Sequence, residues 1–434
     1  MESKSWWQKL KNNPIARTGA IVLIIFYIAV IFGDFVAPYG PIATQPNGSL
    51  LPPTQIYWRT QETGESIGPH IYPTIQGPID RETGQQELEV DFSRPTPLRL
   101  FVEGREYRLF ELVVPYFSQF SIGLPKISFE PYQFFDFTVP YMPKLSMSSN
   151  IQLGEFTLLK GIPGNMHLFG PAGENIPSRF DPTEIDEGDE TPEAVELVPA
   201  YFNLLGTDNS ARDMFSRLIY GGRISLSIGL VGIAISFPIG MLVGGISGYF
   251  GGAVDAILMR IVEVIMTIPS IYLLISLSVI LPLGLSSSQR FLLIVIIISF
   301  ITWAGLARVI RGEVLSLKER TFVQASQSMG GRSLHIILRH ILPQTATYVI
   351  ISATLAVPGF IISEAVLSLI GLGIQEPDPS WGNMLTAGNN AAILVLHPWI
   401  IWPPAALIVI TVLSFNVLGD GLRDALDPRS LQER

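Results

Sequence analysis

The chain lacks cysteine entirely, which excludes a disulfide framework and any metal site built from thiolates. Charged residues are also scarce. They make up 15% of the 434 residues, whereas an ordinary soluble domain contains about 25%. Hydrophobic residues make up 48% of the chain. This balance indicates a membrane protein.

Two common catalytic motifs are also missing. The sequence has no G-x-x-x-x-G-K-[ST] loop to hold a nucleotide and no H-E-x-x-H zinc motif. The five histidines are scattered along the chain. We therefore predict no catalytic residue, no metal site and no cofactor bound by this chain, and a protein that is not an enzyme.

The acidic charge is concentrated in one part of the chain. Residues 38–210 contain 23 Asp and Glu against 10 Lys and Arg, and the remainder is net positive. An acidic block joined to a basic membrane part predicts that the two lie in different compartments. It does not indicate a nucleic-acid-binding surface.

Six apolar runs approach the length of about 20 residues that a helix needs to cross a bilayer. The first follows four basic residues, which predicts a cytoplasmic N-terminus, and the alternation of six spans then places the C-terminus inside as well. Prolines 238, 269 and 358 lie within spans and predict kinks. The predicted spans are 18–37, 224–246, 256–280, 290–311, 346–370 and 400–418.

Residues 38–205 contain no spanning run and are rich in Pro, Gly and aromatic residues. The alternating stretches 106–114 and 154–162 are typical of strands. We predict a mostly β domain on the extracytoplasmic side. A disordered loop is the alternative, although disordered segments contain few aromatics.

Several residues in or near the spans are candidates for packing or function. Gly240, Gly244 and Gly248 recur every four residues, which predicts a face where another helix packs closely. Glu364 in the fifth span has no basic neighbour in sequence. Glu364 either lines a translocation path or is a packing residue whose hydrogen bonds are satisfied, and both interpretations stay open. Asp208 is predicted to cap a short helix on the membrane surface, and Trp381 to anchor at the interface.

The loop between the fourth and fifth spans, residues 312–345, is predicted to lie inside and is basic. Phe322 to Met329 has helical character, and Gly330-Gly331 permits a sharp turn. In the run 333–341, Leu334, Ile337, Leu338 and Ile341 share one predicted face, and Pro343 is predicted to end that helix. Composition alone leaves two roles open: setting the membrane topology, or binding a partner.

The spacing in this loop resembles the EAA loop of permeases from binding-protein-dependent ABC importers. That pattern is E-A-A, three residues, G, nine residues and I-x-L-P. The matching residues here are Gln324, Ala325, Ser326, Gly330, Leu342 and Pro343. Gln stands in place of the Glu, Ser in place of the second Ala, and His340 in place of the first Ile.

Three further stretches resemble the oligopeptide, dipeptide and nickel branch of that family. They are LGTDNSARDMFSRLIYGGRISL from 205, GYFGG from 248 with Asp255, Met259 and Arg260, and LSLIGLG from 367 followed by PSWG. Ala211 departs from the glycine of the first signature. The resemblance covers about residues 1–40 and 204–434, and the insert at 41–200 lies outside it.

The resemblance implies a six-helix ABC importer permease in the cell inner membrane that carries peptides. The implied partners are a second permease in a heterodimer, two ATPase subunits that bind ATP and Mg, an extracytoplasmic solute-binding protein, and membrane lipid. The six residues matched to the EAA pattern would couple the chain to the ATPases. Nickel and opine branches share the signatures.

The implied organisation has three parts: a cytoplasmic N-terminus and first span at 1–37, an insert domain at 38–205, and a five-helix core at 206–434. A different function is also open. The chain would then be a membrane-anchored receptor or assembly platform whose insert binds a partner.

Overall fold

The computed structural model describes most of the spanning helices and part of the insert. The described residues are 6–79, 86–109, 112–120, 126–134, 137–146, 151–159, 162–171, 200–279, 285 and 287–426. Within them the chain divides into two compact units. One comprises Met1–Leu109 with Pro163–Arg434, and the other Phe110–Ile162. The domain boundaries predicted at 37 and 205 stay a prediction.

The larger unit is dominated by helices. In chain order they are α1 (Trp6–Asn12), α2 (Pro14–Ile31), α3 (Gly33–Val36), α4 (Met214–Phe250), α5 (Gly252–Thr267), α6 (Ser270–Val279), α7 (Ser287–Leu317), α8 (Thr321–Ser328), α9 (Ser333–Ile336), α10 (Ala346–Leu369), α11 (Trp381–Met384), α12 (Ala391–Leu396) and α13 (Trp402–Leu426).

The described residues between α3 and α4 form nine strands. They are β1 (His70–Ile71), β2 (Thr74–Ile79), β3 (Gln86–Val90), β4 (Thr96–Leu109), β5 (Leu112–Phe120), β6 (Lys126–Phe134), β7 (Phe137–Ser146), β8 (Ile151–Leu159) and β9 (Ile162–Pro171). The larger unit contains the sheet β1-β4-β9 and the antiparallel pair β2-β3. In the smaller unit β5 pairs with β8, and β6 with β7, both antiparallel. The stretches predicted as strands fall on β4, β5, β8 and β9.

Local sequence fixes where the long helices begin. Asn13 caps α2 by accepting from the amides of Ile15 and Ala16, and Pro14 follows as the first helical residue, a position that needs no amide donor. Asp213 caps α4 by accepting from the amide of Ser216 at 2.7 Å. Gly251, with φ of +66°, ends α4, because glycine adopts positive φ without strain.

Five helical segments in the described part of the chain are long and apolar enough to span a membrane. They are Pro14–Ile31, Met214–Phe250, Gln289–Leu317, Ser333–Leu369 and Pro398–Leu426. A sixth candidate is the pair α5 and α6, which is bent by 85°. The chain is thus a polytopic helical membrane protein with five or six candidate spans.

The kink predicted at Pro269 is a full break. The third span, predicted over 256–280, divides into α5 and α6 because Ile268 is extended and Pro269 has no amide donor. A second prediction about these helices is wrong. The helix predicted to begin near Asp208 and to end before the second span does not exist as a separate element. Instead α4 runs unbroken for 37 residues through Pro238.

Candidate functional site

The loop 312–345 begins as a continuation of α7, which ends at Leu317. The chain then extends through Arg320 and enters α8. Val323 and Ser326 are buried beneath α8, whereas Gln324 and Ala325 are exposed. The side-chain amide of Gln324 donates to the carbonyl of Glu319 at 3.2 Å. Of the first three predicted coupling residues, Gln324 and Ala325 therefore face away from the helices, whereas Ser326 faces them.

The turn after α8 depends on glycine. Gly330 has φ of +80° and open space around the position of an added Cβ, so only its backbone conformation restricts substitution. Its amide donates to the carbonyl of Gln327 at 2.9 Å, and the amide of Gly331 donates to that of Ser326 at 3.0 Å. These bonds satisfy carbonyls at the end of α8 and fix the direction of the chain that follows.

The prediction that Pro343 ends the second helix of this loop is wrong. After α9 the chain forms a π-helix over Ile337–Ile341 and a 3-10 turn over Leu342–Thr345, and then enters α10 without a break. Pro343 lies at the start of the 3-10 turn, where a missing amide is tolerated. The change of helical period before Pro343 lets the helical path continue past its ring. Motion of the loop would thus pass directly into α10.

The buried face of this segment also differs from the predicted one. Ile336, Ile337 and Ile341 are fully buried against Phe237 and Ile310. Leu334 and Leu338, predicted to share that face, are 55% and 48% exposed. The π-helix rotates the residues that follow it relative to a regular helix, because its turn is longer.

Exposed apolar side chains lie on both sides of the Gly330 turn in the sequence and are here called the apolar rim. Its members are Phe322, Met329, Leu334 and Leu338, of which Met329 is 82% exposed. Arg332 and Arg339 lie beside them and are also exposed. Large exposed apolar side chains rimmed by polar residues are typical of protein-binding surfaces.

Two polar contacts near this loop join helices: one holds α5 to α7, and the other holds α8 to α4. The guanidinium of Arg311 on α7 forms a two-point salt bridge with Asp255 on α5, 2.5 Å at both contacts. Gln327 on α8 donates to the hydroxyl of Tyr249 at 3.1 Å. Sequence analysis noted Asp255 only as part of a motif. Nothing in the local pattern identified Arg311, 56 residues away, as its partner.

The predicted glycine face of α4 lies directly against the backbone of α7. A Cβ added to Gly240 would lie 2.9 Å from the carbonyl oxygen of Trp303, and one added to Gly248 would lie 2.8 Å from that of Arg311. Gly244 lies closer still to Ala307. The two helices approach at positions where any side chain would separate them.

Glu364 is fully buried within this chain. Its carboxylate accepts from the hydroxyl of Ser368 at 2.7 Å and contacts that of Ser225 on α4 at 3.4 Å. The hydroxyl of Ser225 also accepts from the amide of Trp381 at 3.1 Å. The structure therefore places Glu364 of α10 between α4 and α11, bonded to hydroxyl groups. Its role in the translocation path stays a prediction.

A buried ion cluster lies at the opposite end of α4 from the loop 312–345. Arg217 contacts Asp208 at 3.3 Å and Glu376 at 2.9 Å, with only 2% of its side chain exposed. Arg212 pairs with the same two carboxylates. The cluster borders a cavity of about 480 Å³ that Asn209, Asn383 and Asn390 also line.

Two predictions about residues at this end of α4 are wrong. Asp208 does not cap α4. It accepts from the amides of Ser210 and Arg212 and pairs with the arginines. Trp381 is 2% exposed and donates its ring N–H to the carbonyl of Leu218 at 2.9 Å, so it is a buried packing residue and not an interfacial anchor. Sequence analysis missed Glu376 because it pairs with residues about 160 positions earlier.

Removal of Arg217 should destabilise the protein strongly. Arg217→Met removes one of the two guanidinium groups that pair with Asp208, whose side chain is 10% exposed, and with Glu376, whose side chain is 51% exposed. Breaking a fully buried ion pair costs about 3–5 kcal/mol, which is the upper bound here because Arg212 still pairs with both carboxylates. We expect a large drop in thermal unfolding temperature in detergent. Arg260→Met, which removes a 78% exposed side chain from a salt bridge, is the matched control and should shift it little. Equal shifts would contradict a structural role for the cluster.

Asp213 gives the chain a pH-dependent stability. Burial raises its pKa to about 7 from the ordinary value of 3.8. The folded state therefore keeps a proton that the unfolded state loses, so stability is highest below about pH 4 and falls as pH rises to about 7. Asp213→Asn keeps a good capping residue and should remove that slope. Unfolding temperatures of both proteins between pH 4 and 8 check this, and parallel curves would contradict it.

Two family models match the sequence. Residues 237–432 match the binding-protein-dependent transport system inner membrane component. Residues 3–53 match the N-terminal transmembrane domain of oligopeptide transport permease C. Residues 54–236 lie outside both models.

Curated relatives extend the match. The dipeptide transport system permease protein of Bacillus subtilis is 42% identical over 233 residues, which cover 54% of this chain and 71% of the relative. The oligopeptide transport system permease protein of Haemophilus influenzae is 44% identical over 228 residues, which cover 52% and 71%. The chain belongs to the oligopeptide and dipeptide permease family of binding-protein-dependent transport systems. The expected family is thereby confirmed.

The permease is therefore an integral inner-membrane transport component and not an enzyme, as predicted. Among solved structures, a chain of the inward-facing methionine ABC transporter aligns with a TM-score of 0.38 and 21% identity, over 49% of this chain and 98% of that one. The family assignment rests on the sequence relatives alone.

Proposed function

We propose that this permease carries peptides across the cytoplasmic membrane as one subunit of an ATP-driven importer. The observation that carries the proposal is the 42% identity to a dipeptide permease over 71% of that protein's length. The relatives of Haemophilus influenzae and Escherichia coli are named for oligopeptide transport. Nickel and opine importers share the sequence signatures, so both solutes serve as controls in the test below.

The proposed partners are a second permease, two ATPase subunits that bind ATP and Mg, and an extracytoplasmic solute-binding protein. The apolar rim around Gly330 supports docking of an ATPase to α8, because exposed Phe322 and Met329 have no cover within this chain's described residues. The basic side chains Arg332 and Arg339 favour an acidic partner surface. In this proposal Gln324, Ala325, Ser326, Gly330, Leu342 and Pro343 form the coupling segment, and both termini are cytoplasmic.

Coupling is proposed to run through the continuous helical path from α9 to α10. A rigid shift of α8 tilts that path because Gly330 and Gly331 hold the turn. Such a shift moves the conformational equilibrium only by the difference in ATPase affinity between the two states. If the loop deformed freely, α8 could shift without tilting α10. The hydrogen-bonded turn therefore matters for passing the movement of α8 to α10.

Uptake by reconstituted vesicles tests the proposed function. The complete transporter should accumulate a labelled dipeptide or oligopeptide only with ATP inside and the binding protein outside. Nickel ions and an opine, supplied with the same binding protein, are the matched controls. Uptake of nickel or opine without uptake of any peptide would contradict the peptide assignment.

The platform hypothesis is tested by removing the smaller unit. β4 and β9 are neighbours in one sheet, and Tyr107 lies against Gly164, so Leu109 and Pro163 can be joined by a short glycine-serine turn. This deletion of 110–162 leaves the contacts of Arg105 and His167 with the rest of the larger unit. We expect uptake to survive. Loss of uptake, with an intact helical core and loss of a bound partner, would favour the platform.

A further inference from the structure

The bent pair α5 and α6 is poorly covered by the rest of the chain. In α5 only Val262 is buried, and it packs with Trp303 and Ala307 of α7. Helical periodicity divides the remaining residues of α5 into two faces. One is apolar and contains Ile257, Ile261 and Val264. The other contains Ala256, Arg260, Glu263 and Thr267, all exposed and spaced by three or four residues.

The second of these faces, here called the polar face of α5, cannot lie against lipid tails. Arg260 and Glu263 pair at 3.4 Å, with 78% and 51% of their side chains exposed. Ionisable residues within a membrane span almost always face protein or a water-filled cavity, because exposure to hydrocarbon is costly.

The break after α5 gives an independent reason. Ile268 is extended and Pro269 has no amide to donate, so the last carbonyls of α5 lack regular helical partners. Met266, Thr267, Pro269 and Ser270 around the break are all exposed. Broken backbone at membrane depth occurs only where protein covers it or where it lines a water-filled cavity.

We propose that the polar face of α5 lines the solvated path of the solute, with Glu263 and the free carbonyls at Thr267 turned toward it. This inference rests on the proposed transport function. A peptide carries an ammonium group at one end and a carboxylate at the other. Glu263 with the carbonyl end of α5 suits the ammonium group, because a helix C-terminus carries partial negative charge. Arg260 suits the carboxylate. Glu364, buried among hydroxyls, has no such exposure.

Cysteine labelling tests this directly, because the chain has no cysteine of its own. Glu263→Cys and Thr267→Cys are placed on the polar face, and Ile261→Cys and Val264→Cys on the apolar face of the same helix. The probe is the charged reagent 2-(trimethylammonium)ethyl methanethiosulfonate, applied to the complete transporter in open membranes. We expect the polar-face cysteines to react at least about tenfold faster, and saturating dipeptide to slow them.

Each outcome bears on a different statement. Peptide uptake is measured in the unaltered transporter, because the substitutions themselves remove groups of the polar face. Slow reaction at both polar-face cysteines, when the unaltered transporter carries peptide, overturns the inference and leaves the proposed function standing. That result means that the second permease or lipid covers the face. Fast reaction that dipeptide does not slow, when the unaltered transporter takes up no peptide, keeps the water-lined face and removes the peptide assignment. Two positions with two controls on one helix guard against a variant that fails to fold.

Discussion

Gly330→Val is expected to reduce ATP-driven uptake by about tenfold or more without lowering the amount of folded permease. The reason is the φ of +80° at Gly330, where a β-branched residue costs of order 1–3 kcal/mol. An energy of 1.4 kcal/mol corresponds to a factor of ten in an equilibrium. No atom lies within 4 Å of an added Cβ, so the effect arises from the backbone and not from a clash.

Gly330→Asn is the matched control, because asparagine tolerates the left-handed conformation better than other side chains. It should retain most of the uptake. The second readout is ATP hydrolysis, which should become insensitive to the solute-loaded binding protein in Gly330→Val. If both variants transport normally, the turn does not transmit motion. If both lose uptake equally, bulk at an exposed docking surface is the cause, and the conformational argument is wrong.

Gly244→Leu is expected to destabilise the permease severely. The carbonyl of Ala307 and the side chain of Ile310 occupy the space that its side chain needs. Overpacking in a tight contact typically costs about 1–3 kcal/mol, and here the obstacle includes backbone that cannot rotate away. We expect a large drop in the unfolding temperature and in the amount of folded protein.

Gly305→Leu on α7 is the control for Gly244→Leu. It makes the same chemical change in a neighbouring helix, but no atom lies within 4 Å of an added Cβ. Its unfolding temperature should stay close to that of the unaltered protein, since leucine has a higher helix propensity than glycine. A comparable loss in both variants would mean that the α4–α7 approach is not the cause.

Predictions based on local periodicity agree best with the structure. Most predicted spans overlap long helices, because a run of about 20 apolar residues can form few structures other than a helix. The close packing at Gly240, Gly244 and Gly248 could be predicted from their four-residue spacing without knowing that α7 is the partner helix. The turn at Gly330 followed from glycine's conformational freedom and from the spacing of the EAA pattern.

Predictions failed where distant residues or a change of helical period decide the structure. Asp208 was the predicted cap, but Arg212 and Arg217 draw it into an ion cluster, and Asp213 caps α4 instead. Pro343 ordinarily ends a helix, but the π-helix before it accommodates the ring. The pairing of Asp255 with Arg311 depends on how α5 packs on α7, which no local pattern encodes.

The proposed coupling requires that α8 binds a separate ATPase and moves with the nucleotide state. A photo-crosslinking residue in place of Ala325 detects this contact, because Ala325 is exposed. It should form an adduct with an ATPase subunit in native membranes, and the yield should change when ATP replaces ADP. The same group in place of the buried Val323 should not. An adduct with the extracytoplasmic binding protein, or no adduct in a transporter that still imports solute, would contradict the account.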